Sequence, residues 1–330
     1  MLAIERTDNY VCPMVKYTMW TGLCRRMGEV IGKVVLYAVA LSWAAGPAYG
    51  QPTAVGASDI LMLEDSLARL GYIMYNEPSE PERLDANFTF VKTLVSALKA
   101  PQSFTYPFDS LDMVSILDAP DHRFRIFSWH LPLNDGSYLY YGAIQMNTSD
   151  GSLKLYPLLD KTYEIGAPEE TVTAPDNWYG AQYYRIVGLD GAYVLLGWKG
   201  YTPYVTQKVI EVLEFSNDDV RLGKPVFDDG AGERSVRAIY RYSKNASMYL
   251  DYDASESRII LDHLAPADPR QEGEYEQYGP DLTYDAWQLQ GGRLELVPDV
   301  PMVNPADAND ALFNDPTKPR NHPKSGINIQ

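Results

Sequence analysis

The stretch from Phe124 to Leu159, FRIFSWHLPLNDGSYLYYGAIQMNTSDGSLKLYPLL, limits what this chain can fold into. It holds three apolar runs rich in aromatic and β-branched residues, separated by Asn134-Asp135-Gly136 and Ser149-Asp150-Gly151. Asp-Gly accepts the positive φ angles of a tight hairpin turn, so the pattern predicts a three-stranded antiparallel meander. Similar units recur loosely. The second comprises Trp178–Val187, Ala192–Trp198 and Gln207–Phe215, and the third Val236–Tyr242, Ser247–Tyr252 and Arg258–Leu264. A shorter fourth comprises Leu282–Leu289 and Leu294–Val297. Unit starts at Arg125, Arg185, Arg237 and Leu282 are 60, 52 and 45 residues apart, near the spacing of propeller blades but too uneven for a sequence repeat. The expected fold is mainly β: a curled antiparallel meander, propeller-like or barrel-like, with a two-sheet sandwich as second choice. Val209, Val212 and Phe215 do not alternate cleanly within their run, which predicts a short bulge there.

Two helices precede the strands. Ser58-Asp59 is a good N-cap for a helix to Tyr75 with Ile60, Leu63, Leu67, Leu70 and Met74 on one face. A second helix, Pro81 to Leu98, places Leu84, Phe88, Val91, Val95 and Leu98 together and stops before Pro101. The pair reads as an αα-hairpin, residues 51–102, docked on a β domain of residues 103–297. Ser103–Asp121 links the two and includes a short strand within Met113–Leu117. Pro298 to Gln330 is rich in Pro, Asn, Asp and Lys with Phe313 its only aromatic residue, so it reads as an extended or disordered tail.

The first 50 residues belong to a different regime. Val34–Ala45 (VVLYAVALSWAA) is an apolar run of signal-peptide length, preceded by Arg25, Arg26 and Lys33. Gly46-Pro47 breaks it, and Ala48-Tyr49-Gly50 offers small residues where a signal peptidase needs them, so cleavage is expected between Gly50 and Gln51. No cysteine follows the run to carry a lipoprotein anchor. Met14, Met19 and Met27 are alternative starts, and we expect translation to begin downstream of Met1. Cys12 and Cys24, the only cysteines, lie in this leader, so the mature chain has no intramolecular disulfide. Its 280 residues suffice for a sizeable core. Taking five basic residues (Arg6, Lys16, Arg25, Arg26, Lys33) and three acidic ones (Glu5, Asp8, Glu29) from 28 and 44 leaves 23 against 41, a formal charge of −18. That balance disfavours nucleic acid and anionic membrane surfaces, and no transmembrane segment remains after cleavage.

Few constellations suggest chemistry. Alternation puts Trp129 and His130 on opposite sides of their strand, where His130 near Asp121-His122 could serve a polar pocket; a surface histidine beside a core tryptophan is the plainer account. Asp251 to Asp262 imitates calcium-loop spacing, but Glu256 replaces the turn glycine and the flanks read as strands, so an acidic hairpin turn accounts for it better. Asp262-His263 imitates a triad or metal fragment, yet no two of the four histidines have helical metal-site spacing. No metal or cofactor is implied. Asn87, Asn147 and Asn245 head formal glycosylation triplets of the kind that arise by chance.

The 25 tyrosines and 6 tryptophans are the remaining signal. Tyr138, Tyr140 and Tyr141, and Tyr179, Tyr183 and Tyr184, are candidates for exposed rows that stack on sugars or peptides; tyrosine also simply packs well on sheets. Trp129, His130, Tyr140, Tyr183 and Trp198 are the candidate binding residues. At SWHLPLNDGSYLYYGAIQM, WYGAQYYRI, LLGWKGYT and YGPDLTYDAW the chain resembles a group of uncharacterised exported proteins of Bacteroidetes-type bacteria. The likeness covers most of Leu61 to Val297 and implies an exported β-rich domain, with no catalytic residues to carry over. The expectation is an exported envelope or secreted protein, periplasmic or extracellular, that binds a small molecule, glycan or envelope protein without chemistry. The alternative is an extracytoplasmic glycan hydrolase drawing its acids from Asp109, Asp112, Asp121, Asp281 or Asp285.

Overall fold

The computed structural model describes residues 57–302 apart from 102, 218 and 233; the leader, the Gly50-Gln51 cleavage site and the tail past 302 lie outside the described residues. Two helices come first, α1 (Ala57–Asn76) and α2 (Glu80–Leu98). α1 buries Ile60, Leu67 and Met74 and half-buries Leu63 and Leu70, the stripe its spacing predicts. α2 is rotated from expectation. Ala86, Asn87, Phe90, Leu94 and Ala97 point inward, while Leu84, Phe88, Val91 and Val95 are only half-buried. The cause is polar: Trp129 Nε1 donates to Asn87 Oδ1 at 2.8 Å, and Arg83 donates to the carbonyls of Glu77, Pro78 and Pro132. A polar side chain with its partners in place can occupy a core face that hydrophobicity alone assigns to solvent.

The strands that follow are β1 (Ser115–Asp118), β2 (Phe124–Pro132), β3 (Tyr138–Met146), β4 (Lys154–Leu159), β5 (Gln182–Leu189), β6 (Ala192–Gly200) and β7 (Val205–Ser216). They continue with β8 (Asp219–Leu222), β9 (Phe227–Asp228), β10 (Arg237–Ser243), β11 (Leu250–Asp253), β12 (Arg258–Pro266), β13 (Tyr278–Gln290) and β14 (Arg293–Val297). They pair into three sheets, ordered β1-β2-β3-β4, then β10-β7-β6-β5 with β8 on β7, then β11-β12-β13-β14-β9. All pairings are antiparallel except β9 with β14. The protein is therefore mainly β, built from antiparallel meanders with an N-terminal helical pair.

Two details of the sheets also differ from the sequence expectation. The third unit does not stay together: β10 completes the second sheet against β7, whereas β11 and β12 join β13 and β14 in the third. β7 carries no bulge against β6, because their register runs unbroken from Ala192↔Glu214 to Gly200↔Thr206. Its apolar residues fail to alternate because β7 is covered on both faces, with Ile210 and Val212 in one core and Val209 and Leu213 in two others. In this sheet the irregularity sits instead in β5, between Tyr183 and Arg185, and a second, in the third sheet, lies in β12 between Asp262 and Leu264.

The layers stack in sequence order. Phe127, Trp129 and Leu131 of β2 face the helices, together with Phe90, Leu94 and Leu67. Phe124 and Ile126, on the other face of β2, meet Tyr193, Leu195 and Leu213 of the second sheet. That sheet's far face, with Val194, Leu196 and Val212, packs on Ile259, Leu261 and Trp287 of the third. Each fully buried large side chain contributes about 1.5–3 kcal/mol through removal from water, so a stack of three such interfaces holds the layers together. Val300 extends this attachment, donating its N–H to the Tyr284 carbonyl at 2.8 Å.

Candidate functional site

His130, at the end of β2, is the centre of an aromatic cluster that crosses the layers. Its ring lies 5.3 Å from Tyr75 of α1, 5.3 Å from Tyr138 of β3 and 5.1 Å from Trp198 of β6. Tyr140 approaches at 6.2 Å, and Tyr138 meets Trp198 edge to face at 5.5 Å. His130 Nδ1 stands 2.6 Å from Gln182 Oε1 at the start of β5, and burial pushes its imidazole pKa down. Gly200 makes this packing possible, because a Cβ there would collide with the ring of Tyr138.

The cluster opens outward onto a ring of turns. Pro203 packs against Gly136 of the β2–β3 turn, Lys244 N–H donates to the Tyr204 carbonyl, and the Lys244 ammonium lies 5.7 Å from the Tyr138 ring. Tyr163 stacks on Tyr201 with centroids 6.3 Å apart, its hydroxyl donating to the Tyr201 carbonyl at 3.2 Å. Tyr163 and Tyr204 are 71% and 67% exposed, so this end of the stack presents aromatic faces and hydroxyls to solvent.

Beneath the rim lies a buried polar layer on the face of the second sheet covered by residues 160–181. Lys199, 1% exposed, donates to Thr162 Oγ1, the Tyr179 carbonyl and the Gly180 carbonyl at 2.6–2.7 Å. The Tyr140 and Tyr179 rings flank it at 4.4 and 4.7 Å. Burial lowers its pKa to about 8, against the opposing pull of Asp160. Glu211 accepts from Arg237 Nε at 2.7 Å and from the Tyr183 hydroxyl, which in turn accepts from Trp178 Nε1 at 2.8 Å. These groups satisfy one another and fasten the covering loop to the sheet; the ammonium and guanidinium reach carbonyls and side chains rather than solvent.

Of the five sequence-derived candidates, His130, Tyr140 and Trp198 come together. Trp129 and Tyr183 do not join them: Trp129 is 2% exposed on the helix side, stacked 5.8 Å from Tyr141, and Tyr183 is fully buried above Glu211. The expected tyrosine rows are mainly packing, since Tyr140, Tyr179 and Tyr183 are buried and Tyr138, Tyr141 and Tyr184 half-buried. The exposed aromatics are others, Tyr163 and Tyr204 among them, and their place in turns, flanked by Lys, Thr and Pro, is the signal that could have found them. His130 is half-buried against aromatic rings rather than a plain surface histidine.

The acidic candidates are dispersed. Asp109 and Asp112 are exposed before β1, and Asp121 accepts from the Tyr193 hydroxyl at 2.7 Å. Asp281 and Asp285 lie on β13 in the third sheet. His263 pairs with Asp285 at 2.8 Å rather than with its neighbour Asp262, which instead accepts the Tyr249 N–H. The Asp285 carboxylate, with Asp281 and Asp299 beyond, raises the His263 pKa. The calcium-like stretch is the β11–β12 hairpin, its turn closed by Asp253 accepting from Ser255 and its Asp251 paired to Arg185 at 2.8 Å. Among the described residues, no group of three or more His, Cys, Asp or Glu converges as a metal site. A polar cavity of about 90 Å³ lies between the 103–105 turn and the β3–β4 hairpin.

The chain matches no family model, and comparison with curated proteins and with solved structures gives no match to either. The functional reading therefore rests on the geometry. Among the described residues no helix is long and apolar enough to cross a membrane.

Proposed function

We propose that this protein is an exported envelope or secreted protein, related to the exported β-rich group it resembles, that binds a ligand or partner without transforming it. The observation that carries the reading is the aromatic end of the sheet stack. Tyr138 meets Trp198 and lies beside Lys244, whose N–H holds Tyr204, and the Tyr163–Tyr201 pair continues from the same 201–204 turn. Aromatic faces with hydroxyls at their edges suit a ligand that has an apolar face and a polar rim, as a sugar ring does. Rigid strands beneath the rim hold these side chains in place, which lowers the ordering cost of binding. Export is supported by the apolar run at Val34–Ala45 and the small residues before Gln51.

A glycan array probed with wild type and with a Tyr163→Ala/Tyr204→Ala variant tests the binding reading. The expected result is a retained glycan that is released unchanged and whose affinity falls about tenfold or more in the variant. Equal binding by both proteins, or hydrolysis of the bound glycan, would overturn it. N-terminal sequencing of protein from the cell envelope or medium is expected to begin at Gln51.

A further inference from the structure

The outward face of α1 differs from that of α2. Exposed on α2 are Pro81, Glu82, Asp85, Thr89, Lys92 and Ser96, an ordinary solvated face. Exposed on α1 are Leu61, Met62, Asp65, Arg69, Tyr72 and Ile73, with Asn76 at its last position, and of these Leu61, Met62 and Tyr72 are 57%, 61% and 62% accessible. These positions fall within one stripe of the helix, and Met62, Asp65, Arg69 and Tyr72 follow the three-four-three spacing of a helix–helix seam.

The stripe is also self-complementary. Leu61 and Ile73, Met62 and Tyr72, and Asp65 and Arg69 are each placed symmetrically about Leu67. When two copies of α1 run antiparallel about a two-fold axis at Leu67, the apolar pair at each end meets the opposite apolar pair. The centre then brings Asp65 of each copy against Arg69 of the other. A two-fold contact must be complementary to itself, and this stripe meets that condition in both charge and hydrophobicity. We propose that the outer face of α1 is the interface of a homodimer, with a second copy of this chain as its occupant. The contact between two helices of this length lies at the small end of stable interfaces, so association is concentration-dependent.

Charge exchange tests this by sedimentation velocity of the purified protein from about 1 to about 100 μM. Wild type is expected to pass from monomer to dimer over that range. Asp65→Arg and Arg69→Asp each place like charges together at the centre of the seam and are expected to weaken association about tenfold or more. The Asp65→Arg/Arg69→Asp double exchange restores two opposite-charge contacts and is expected to recover most of the affinity. Tyr72→Lys, at the apolar end, is expected to give monomer by a separate route. All of these positions are exposed, and unchanged far-UV circular dichroism verifies the fold. A wild type monomeric throughout, an association indifferent to residues 65 and 69, or a double exchange no better than the single ones would overturn the proposal.

Discussion

Arg237 and Glu211 face each other directly across β10 and β7, and their side chains are 0% and 1% exposed. The guanidinium also donates toward Pro168, Thr171, Thr173 and Leu222, so one residue joins the second sheet to the loop that covers it. Removing one charge of such a pair leaves the other buried and uncompensated, which costs about 3–5 kcal/mol. Glu211→Gln is therefore expected to lower the urea midpoint severely. Replacing both partners together, as Glu211→Leu/Arg237→Met, is expected to cost less than the single change, and parallel urea titrations compare them.

Lys199 predicts an alkaline effect. Its pKa in the folded chain is lowered to about 8 by burial, below the ordinary value of 10.5. Below the folded value the residue is charged in both states. Between the two values the unfolded chain binds the extra proton, so this residue's contribution to stability rises as pH climbs from about 8 to 10.5. Asp160 and Glu211 oppose the shift and Arg237 reinforces it. The stability of wild type relative to Lys199→Met is expected to increase by a few kcal/mol, about 1.4 for each pH unit crossed, over that window. Denaturation at pH 7.5, 8.5 and 9.5 checks the sign; a flat or falling difference would exclude a depressed ammonium.

The histidines pull in opposite directions. Burial among Tyr75, Tyr138, Tyr140 and Trp198 lowers the His130 pKa, with Gln182 opposing. Its neutral form is favoured by folding, so that stability is present above about 6.5 and is lost as pH falls toward the folded value. His263 is raised by Asp285, so its contribution is present below 6.5 and is lost as pH rises through its folded value. The His263 side of that pair is exposed and screened, which makes its contribution the smaller. Imidazole proton shifts in NMR should show His130 titrating below and His263 above the ordinary range, and His130→Phe should remove part of the acid sensitivity of unfolding.

What is legible in the sequence is what local chemistry dictates. The β2–β3 and β3–β4 turns are readable because Gly136 and Gly151 take φ of 84° and 70°, where other residues are strained. The α1 stripe is readable because it contains no buried charge besides Glu64, which accepts from Tyr106 and Ser110. Pairings between distant segments are not readable. Nothing within Arg237–Ser243 shows that it joins β7 rather than β11; the deciding partner, Glu211, lies 26 residues earlier. Likewise alternation separates His130 from Trp129, but Gln182, which holds the imidazole, is 52 residues away. The inward face of α2 is hidden for a related reason, since Asn87 is a core residue only because Trp129 supplies a donor 42 residues on.

Gly200 gives a test of the aromatic cluster itself. A methyl group there would collide with Tyr138, whose ring leans on both His130 and Trp198. The ring must then swing away, and overpacking of this kind costs about 1–3 kcal/mol. Gly188, in the same sheet, has nothing within 4 Å of an added Cβ, so Gly188→Ala serves as a control expected within about 0.5 kcal/mol of wild type. Displacing Tyr138 exposes Trp198 to water, so Gly200→Ala is also expected to shift tryptophan emission to the red and weaken any ligand held at the rim. If Gly200→Ala melts with wild type and keeps its emission spectrum, Tyr138 does not seal Trp198, and the rim must be organised by the turns at 163 and 201–204 alone.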